Sequence, residues 1–198
     1  PAFDALAESR ETLGRLLDDP AAQLPGGQEG WSTLLEQTQA VLDGREAALA
    51  AQQAAASVRE LTPQLLAAAA NVAKAVGPAR AESLAPHFER FELRAQAVEQ
   101  DLSALADGTA PVETAARRLS DSLVFMGQLV SALNGEDNAL GIAGLPESAG
   151  DAARLLAAVF RAEQDQLRGA LDLGDQLEQM QAARNALAEG GASLFAVL

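Results

Sequence analysis

The sequence predicts an all-α fold, in the form of an elongated helical bundle of two stacked four-helix-type modules that share long helices. Hydrophobic residues make up 48% of the 198 residues, but aromatic residues make up only 4%, and Tyr is absent. Leu, Val and Ala must therefore fill the core, and both Leu and Ala are strong helix formers. Apolar residues also recur at helical spacing along most of the chain, which favours helices over strands.

The charge of the chain restricts the partners that it can have. Its 28 acidic and 14 basic residues give a net charge of −14. Nucleic acid is not expected as a partner, because phosphate binding needs a basic face. Cysteine is absent, which suits an oxidising and a reducing compartment equally well. Pro1 is not an initiator residue, so we expect the chain to be a segment of a longer protein.

Residues 2–18 predict a first helix, because side chains suited to packing recur along one side of it. This side consists of Phe3, Leu6, Arg10, Leu13 and Leu17. Four loop-forming residues follow and predict a loop, namely Pro20, Pro25, Gly26 and Gly27.

A much longer helical pattern begins at Trp31 and continues to about Val76. A continuous helix over this range would be about 69 Å long at ~1.5 Å per residue. Its inner part, AALAAQQAAAS, is rich in Ala and permits close approach of neighbouring helices. Pro63 interrupts the pattern. Either the helix kinks there, which we favour, or Thr62 caps a new helix that has Pro63 at its first position.

A third helix is expected over about 81–106, after Gly77 and Pro78. Its inward residues are Leu84, Phe88, Phe91, Ala95, Val98, Leu102 and Leu105. Thr109 is a natural N-cap ahead of Pro111, which predicts a fourth helix over about 111–133.

The fourth helix contains SLVFMGQLVSALNG, residues 122–135, the longest charge-free stretch of the chain. Its 14 residues are too few for a membrane span, which needs about 20 apolar residues. Apolar residues recur within and beside it at helical spacing, at Leu119, Leu123, Met126, Leu129, Val130 and Leu133. We therefore interpret the stretch as the buried face of a bundle helix, with a binding groove as the alternative.

The remaining residues predict a loop followed by one long helical region. Glycine and proline are frequent over residues 134–147, which predicts the loop. Ser148 and Asp151 resemble a capping box at the start of a helix that extends from Ala149 towards Leu198. Gly174 and the pair Gly190–Gly191 weaken this region locally.

A weak internal repeat underlies this order of elements. FDALAESRETLGRLL aligns with AARRLSDSLVFMGQLV, and WSTLLEQTQAVLDG aligns with FRAEQDQLRGALDL. The second alignment places Trp31 on Phe160, and Leu42-Asp43 on Leu171-Asp172. A short helix, a loop and a long helix therefore follow one another twice, which predicts two helical modules.

Residues suited to catalysis are scarce. The chain has one His, His87, and neither Cys nor Tyr. A lone His is more often a packed side chain than a base or a metal ligand. The acidic pairs Glu163/Asp165 and Glu136/Asp137 are ordinary at this composition. We therefore expect no enzyme activity, no catalytic residues, no metal site and no cofactor.

Arg90 and Arg94 are the candidate ligand-binding residues. They lie four residues apart on the third helix and hence on one face of it. Two guanidinium groups placed in this way could clamp a small anion. The alternative is a solvated pair beside Glu89 and Glu92.

Four segments follow one another in a recognisable order: FDALAESRETL, REAALAAQQAAASVRELTPQL, LSALADGTAPVETAARRLSDSLVFMGQLVSALNGEDN and QMQAARNAL. The most specific parts are LTPQL and the spacing of Asp121, Phe125 and Leu129 ahead of LNGEDN. Over nearly the whole chain, these segments resemble the extracytoplasmic domain of the PilJ family of methyl-accepting chemoreceptors, which belong to the type IV pilus system.

The resemblance implies a periplasmic sensor domain of a bacterial inner-membrane receptor that controls twitching motility. It implies a homodimer, a stimulus such as pilin or surface contact, and a cytoplasmic chemosensory kinase pathway reached through regions outside this chain. Residues from 1 to about 80, with part of the last helix, would form a membrane-proximal module, and residues from about 81 to 175 would form a second PilJ-type module. Signalling would occur by displacement of long helices, by about 1–2 Å.

The resemblance also bears on the arginine pair. Nitrate sensors with the same module bind the anion through an arginine in a segment of the type R-Q-x-x-x-x-x-R. The matching stretch here is HFERFELR, in which Arg94 takes the place of the final arginine. His87 and Phe88 stand where Arg and Gln would be, which argues against nitrate as the ligand.

Three functions remain open on the sequence alone: a receptor that senses a protein partner, a receptor for an anion or amino acid held by Arg90 and Arg94, and a structural scaffold. The candidate contact residues for a protein partner are Leu140, Ile142 and Leu145, in the apolar loop segment NALGIAGLP. The alternative is that Leu140 and Ile142 plug the end of the bundle.

Overall fold

A computed structural model of the protein describes residues 2–19 and 28–195, with side chains described as far as Gly190. In these residues there are α-helices, one short 3-10 helix (Glu147–Ala149) and no strand, which confirms the all-α fold. The α-helices are α1 (Ala2–Leu17), α2 (Gln28–Asp43), α3 (Arg45–Ala75), α4 (Pro78–Asp107), α5 (Val112–Asn134), α6 (Gly150–Leu171) and α7 (Gly174–Phe195). The loop expected at Pro20–Gly27 lies outside the described residues. No helix in the described part of the chain has the length and apolar character that a membrane crossing requires.

The chain folds into two compact units. The first unit contains the described residues up to 49 and from 173 onwards, and the second contains residues 50–172. The division therefore falls inside α3 and at the turn between α6 and α7, whereas the sequence suggested a division near residue 80. Most of α3 belongs to the second unit, in which Arg59 Nε of α3 lies 3.4 Å from Glu99 Oε1 of α4.

In the first unit, α1 packs on α2 and α2 packs on α7. The side of α1 predicted to pack is half-buried at Phe3, Leu6, Arg10, Leu13 and Leu17, while the rest of the helix is exposed apart from Gly14. The amphipathic pattern therefore identified the correct face. Arg45 joins the start of α3 to α1, with its guanidinium 5.6 Å from the centre of the Phe3 ring.

The long helix expected from Trp31 to Val76 is divided at Gly44 into α2 and α3, so the prediction of one continuous helix is wrong at this residue. Helical hydrogen bonds persist on both sides, from Gly44 N to Ala40 O (3.2 Å) and from Ala48 N to Gly44 O (3.0 Å). A Cβ atom at Gly44 would lie only 2.6 Å from Met180 Cβ. The close approach of α7 therefore requires glycine at this position.

Helix α3 continues through Pro63 to Ala75, so no new helix begins at the proline. Thr62 is buried and does not act as a cap. Its hydroxyl donates instead to Val58 O, 2.9 Å away in the preceding turn.

In the second unit, α4 packs on α5 and α5 packs on α6. The residues of α4 predicted to face inward are all buried except Phe88, which is half-buried. The charge-free stretch is the core face of α5, and this prediction is confirmed by the burial of Ser122, Leu123, Phe125, Met126, Leu129, Val130, Ala132 and Leu133. Periodicity located this face correctly because burial in a helix follows its 3.6-residue turn.

Two predicted N-caps are wrong. Helix α5 has no side-chain cap, and Thr109 Oγ1 instead donates to Ala104 O (3.3 Å) at the end of α4. Helix α6 also lacks a side-chain cap, and Ser148 Oγ donates to Ala75 O (3.4 Å) at the end of α3. Both hydroxyls donate to carbonyl groups at the end of a preceding helix. The last carbonyls of a helix have no acceptor role within the helix, just as the first amides of a helix have no acceptor, so either group can take a side-chain partner.

The last helical region is also divided, at Asp172 and Leu173, while Gly190 lies inside α7. In the alignment of the internal repeat, Asp172 falls on Asp43, so the two divisions occur at equivalent positions. The first copy of the repeat contains α1 and α2, and these two helices are in contact. The second copy contains α5 and α6, which are also in contact.

Candidate functional site

The two candidate arginines lie on the side of α4 that faces α5. Arg94 Nη1 donates to Ser122 Oγ at 3.5 Å, and Ser122 is buried. The Arg90 guanidinium lies 4.2 Å from the centre of the Phe125 ring, which is a cation–π contact. Helical spacing therefore placed the pair on one face correctly. Both guanidinium groups also contact α5, so they form part of a seam between two helices, here called the arginine seam.

The apolar loop differs from the expected contact surface at one residue. Ile142 is buried, with only 6% of its surface exposed, so it is not available as a contact residue. Its backbone N donates to Asn138 Oδ1 at 2.6 Å, which turns the segment inward. Leu140 and Leu145 are half-buried. The Arg80 guanidinium holds the same loop by donating to Ala143 O and Gly144 O.

A polar cavity of about 760 Å³ lies beside this loop at the start of α6. Its lining includes Leu145, three carboxylates and Arg154, which is hydrogen-bonded to one of them, Asp151. The other two carboxylates are those of Glu136 and Glu147. Among residues 2–19 and 28–195 no group of three or more His, Cys, Asp or Glu side chains is arranged to hold a metal ion.

An apolar groove of about 530 Å³ runs between α3 and α4 and is here called the α3–α4 groove. Glu89 and Glu92 are its only charged lining residues. The remaining lining is apolar: Leu66, Ala69, Ala70, Ala73, Ala81, Ala85, Phe88 and Phe91. This groove is not among the features that the sequence predicts. Its signal was the recurrence of Ala at helical spacing on both helices, but only the packing of α3 against α4 brings these faces together.

Glu163 is a second feature that the sequence analysis did not identify. It belongs to the buried face of α6, together with Phe160 and Leu167, and its side chain is fully buried. Neither Oε1 nor Oε2 has a hydrogen-bond partner among the described residues. Burial raises the pKa of its carboxyl from the ordinary 4.5 to about 7. The available signal is the helical spacing of Phe160, Glu163 and Leu167, which places Glu163 on the apolar face of α6 rather than with the exposed Asp165.

Comparison of the sequence with protein-family models and with curated proteins gave no match. The features of the structure that bear on function are the α3–α4 groove, the arginine seam and the buried glutamate.

Proposed function

We propose that this chain is the periplasmic sensor domain of a type IV pilus chemoreceptor, which detects a helical protein partner such as pilin in the α3–α4 groove and signals by helix displacement. The observation that carries the proposal is the groove itself, an open apolar channel between two long helices. The resemblance of the sequence to the PilJ family supports the choice of receptor class. No catalytic step is part of the proposal.

The lining of the groove suits a helix as the bound element. Ala69, Ala70, Ala81 and Ala85 lack bulky side chains, so the backbone of a partner can approach closely. Apolar helices commonly bind by laying one face into such a groove. Pilin subunits carry a long apolar N-terminal helix, which fits this description. Glu89 and Glu92 would attract basic residues of the partner beside its apolar face.

Signalling is proposed to pass along α3. This helix is continuous over 31 residues and contributes to both compact units. A partner that presses into the groove would shift α3 against α4 by about 1–2 Å, the size of shift by which packed helices change state. The receptor would act as a homodimer and control a cytoplasmic kinase pathway through regions outside this chain.

Ala70→Arg tests the groove, with Ala67→Arg as the matched control. Both alanines are exposed on α3, but only Ala70 lines the groove. In Ala70→Arg the long side chain would fill the groove and pair with Glu89 or Glu92. We expect this variant of the full receptor to lose co-purification of pilin and to reduce twitching motility, while Ala67→Arg behaves as the wild type. Equal pilin recovery and motility in all three proteins would refute the groove as the contact site.

A receptor for a small anion or amino acid is the second candidate, favoured by the adjacent guanidinium groups of the arginine seam. In this case an anion or amino acid would raise the melting temperature of the purified chain, and Arg94→Ala would abolish the shift. If neither a partner nor a small ligand binds, the chain would be a structural scaffold.

A further inference from the structure

We propose that Glu163 makes the second unit a proton-operated switch: its helices stay closed while the carboxyl is protonated, and α6 loosens when the proton leaves. This inference goes beyond the proposed function, because it needs no partner in the α3–α4 groove.

The contacts between α5 and α6 locate the glutamate in the core. Asn134 Nδ2 donates to Ala153 O at 3.2 Å, and a Cβ atom at Gly127 would lie 3.7 Å from the Phe160 ring. The two helices are therefore antiparallel. Glu163 follows Phe160 by about one turn, so it lies near the level of Leu123 in α5. Leu123 is buried. Glu163 is itself fully buried, on the same face of α6 as Phe160 and Leu167.

The charged residues on α6 and α5 do not compensate this carboxyl. On α6, Arg161 and Asp165 flank Glu163, and both are exposed. On α5, the charged residue nearest to the level of Glu163 is Asp121, which is also exposed. Arg118, one turn further along α5, is exposed and pairs with Asp101 of α4 at 3.4 Å. The 3-10 helix that packs on α6 carries the exposed Glu147, which lies at the opposite end of α6.

The charged residues of α4 and α3, the other two helices of the unit, do not compensate the Glu163 carboxyl either. On α4, the half-buried Arg94 donates to Ser122. On α3, Arg59 pairs with Glu99 at the surface, and Glu60 is exposed. Among the described residues, a carboxylate at position 163 would therefore be buried with no hydrogen-bond donor and no counter-charge, which is costly.

The direction of the pH response follows from proton binding. In the closed unit burial raises the pKa of Glu163 from 4.5 to about 7, whereas in a loosened state that admits water the pKa returns towards 4.5. Between these two values the closed state retains a proton that the loosened state releases. Raising the pH through this window therefore favours the loosened state. The equilibrium constant for closing should fall by roughly two to three orders of magnitude, because the two pKa values differ by about 2.5 units and each unit corresponds to a factor of ten.

The displacement is expected in the second half of α6. The hydrogen bond from Asn134 and the contact of Phe160 with Gly127 hold the first half against α5. Rotation or separation of the segment from Glu163 to Leu171 would bring the carboxyl to water and leave those contacts in place.

Titration of the Glu163 carboxyl by carbon-13 NMR tests the first part of the proposal in the unmodified chain. The expected midpoint is near 7, and a midpoint near 4.5 would overturn the proposal. This measurement requires no variant, so it holds even if substitutions at position 163 impair folding.

Amide hydrogen exchange at pH values below and above this midpoint, corrected for the intrinsic pH dependence of exchange, tests the displacement. We expect exchange in α6 to accelerate by up to about three hundredfold at the higher pH in the wild type. Glu163→Gln should abolish this acceleration. Asp165→Asn, which removes the same charge from the exposed face of α6, should preserve it. Identical pH responses in the wild type and Glu163→Gln would refute the switch.

Discussion

At the scale of single residues, the close approach of α7 to the junction of α2 and α3 depends on the glycine at position 44. A Cβ atom at Gly127 would lie 3.7 Å from the Phe160 ring, which is an ordinary contact distance. At Gly44 the corresponding distance to Met180 Cβ is 2.6 Å, which is too short for any side chain. The sequence shows both glycines, but it does not show which one a neighbouring helix approaches, because Met180 lies on a distant part of the chain.

Gly44→Ala should therefore destabilise the first unit. The added methyl group would force apart α7 and the junction of α2 with α3, and overpacking of this kind costs about 1–3 kcal/mol of unfolding free energy. Urea unfolding would measure the loss.

Gly169→Ala on α6 is the control for this substitution, because a Cβ atom there has open space around it. It should raise the unfolding free energy by about 0.5–1 kcal/mol, since alanine restricts the unfolded chain more than glycine does. A Gly44→Ala protein as stable as the wild type would show that α7 does not approach as closely as described.

At the scale of elements, two long helices contain proline in their interior, Pro63 in α3 and Pro86 in α4. The sequence located the helices around both prolines, but it left open whether α3 ends at Pro63. The structure continues α3 because residues on both sides of the proline, Thr62 and Leu65, are buried in the second unit. Tertiary packing can therefore offset the local cost of proline.

Pro63→Ala should stabilise the protein, because it restores an amide that can donate within the helix. Proline costs about 3 kcal/mol relative to alanine in a helix interior, so we expect a gain of up to about that size in thermal or denaturant unfolding. Pro78→Ala is the control. Pro78 begins α4, where the amide has no helical partner, so its replacement should change stability little. An equal effect of the two substitutions would contradict this account.

At the scale of the whole molecule, the excess of acidic residues dominates the electrostatics. The net charge is −14, and the described ion pairs, such as Arg59–Glu99 and Arg118–Asp101, have at least one exposed partner. Exposed pairs of this kind contribute at most about 1 kcal/mol each. Repulsion among the unpaired carboxylates should therefore weaken the folded state at low ionic strength.

Salt should accordingly raise the melting temperature. Increasing the ionic strength from about 0.01 M to about 0.15 M shortens the Debye length from about 30 Å to about 8 Å and screens this repulsion. The expected result is a steady increase in melting temperature with sodium chloride at neutral pH. A melting temperature that does not change, or that falls, would mean that the described ion pairs outweigh the repulsion.

The amino-acid sequence by itself determined the helical class, the packing faces of α1, α4 and α5, and the placement of Arg90 and Arg94 on one face. These features depend on residues three or four positions apart, and such residues are neighbours in any helix. Only the tertiary structure decided that α2 ends at Asp43, that alanines of α3 and α4 line a common groove, and that Glu163 has no hydrogen-bond partner among the described residues. Each of these depends on contacts between helices, which the spacing of residues within one helix does not determine.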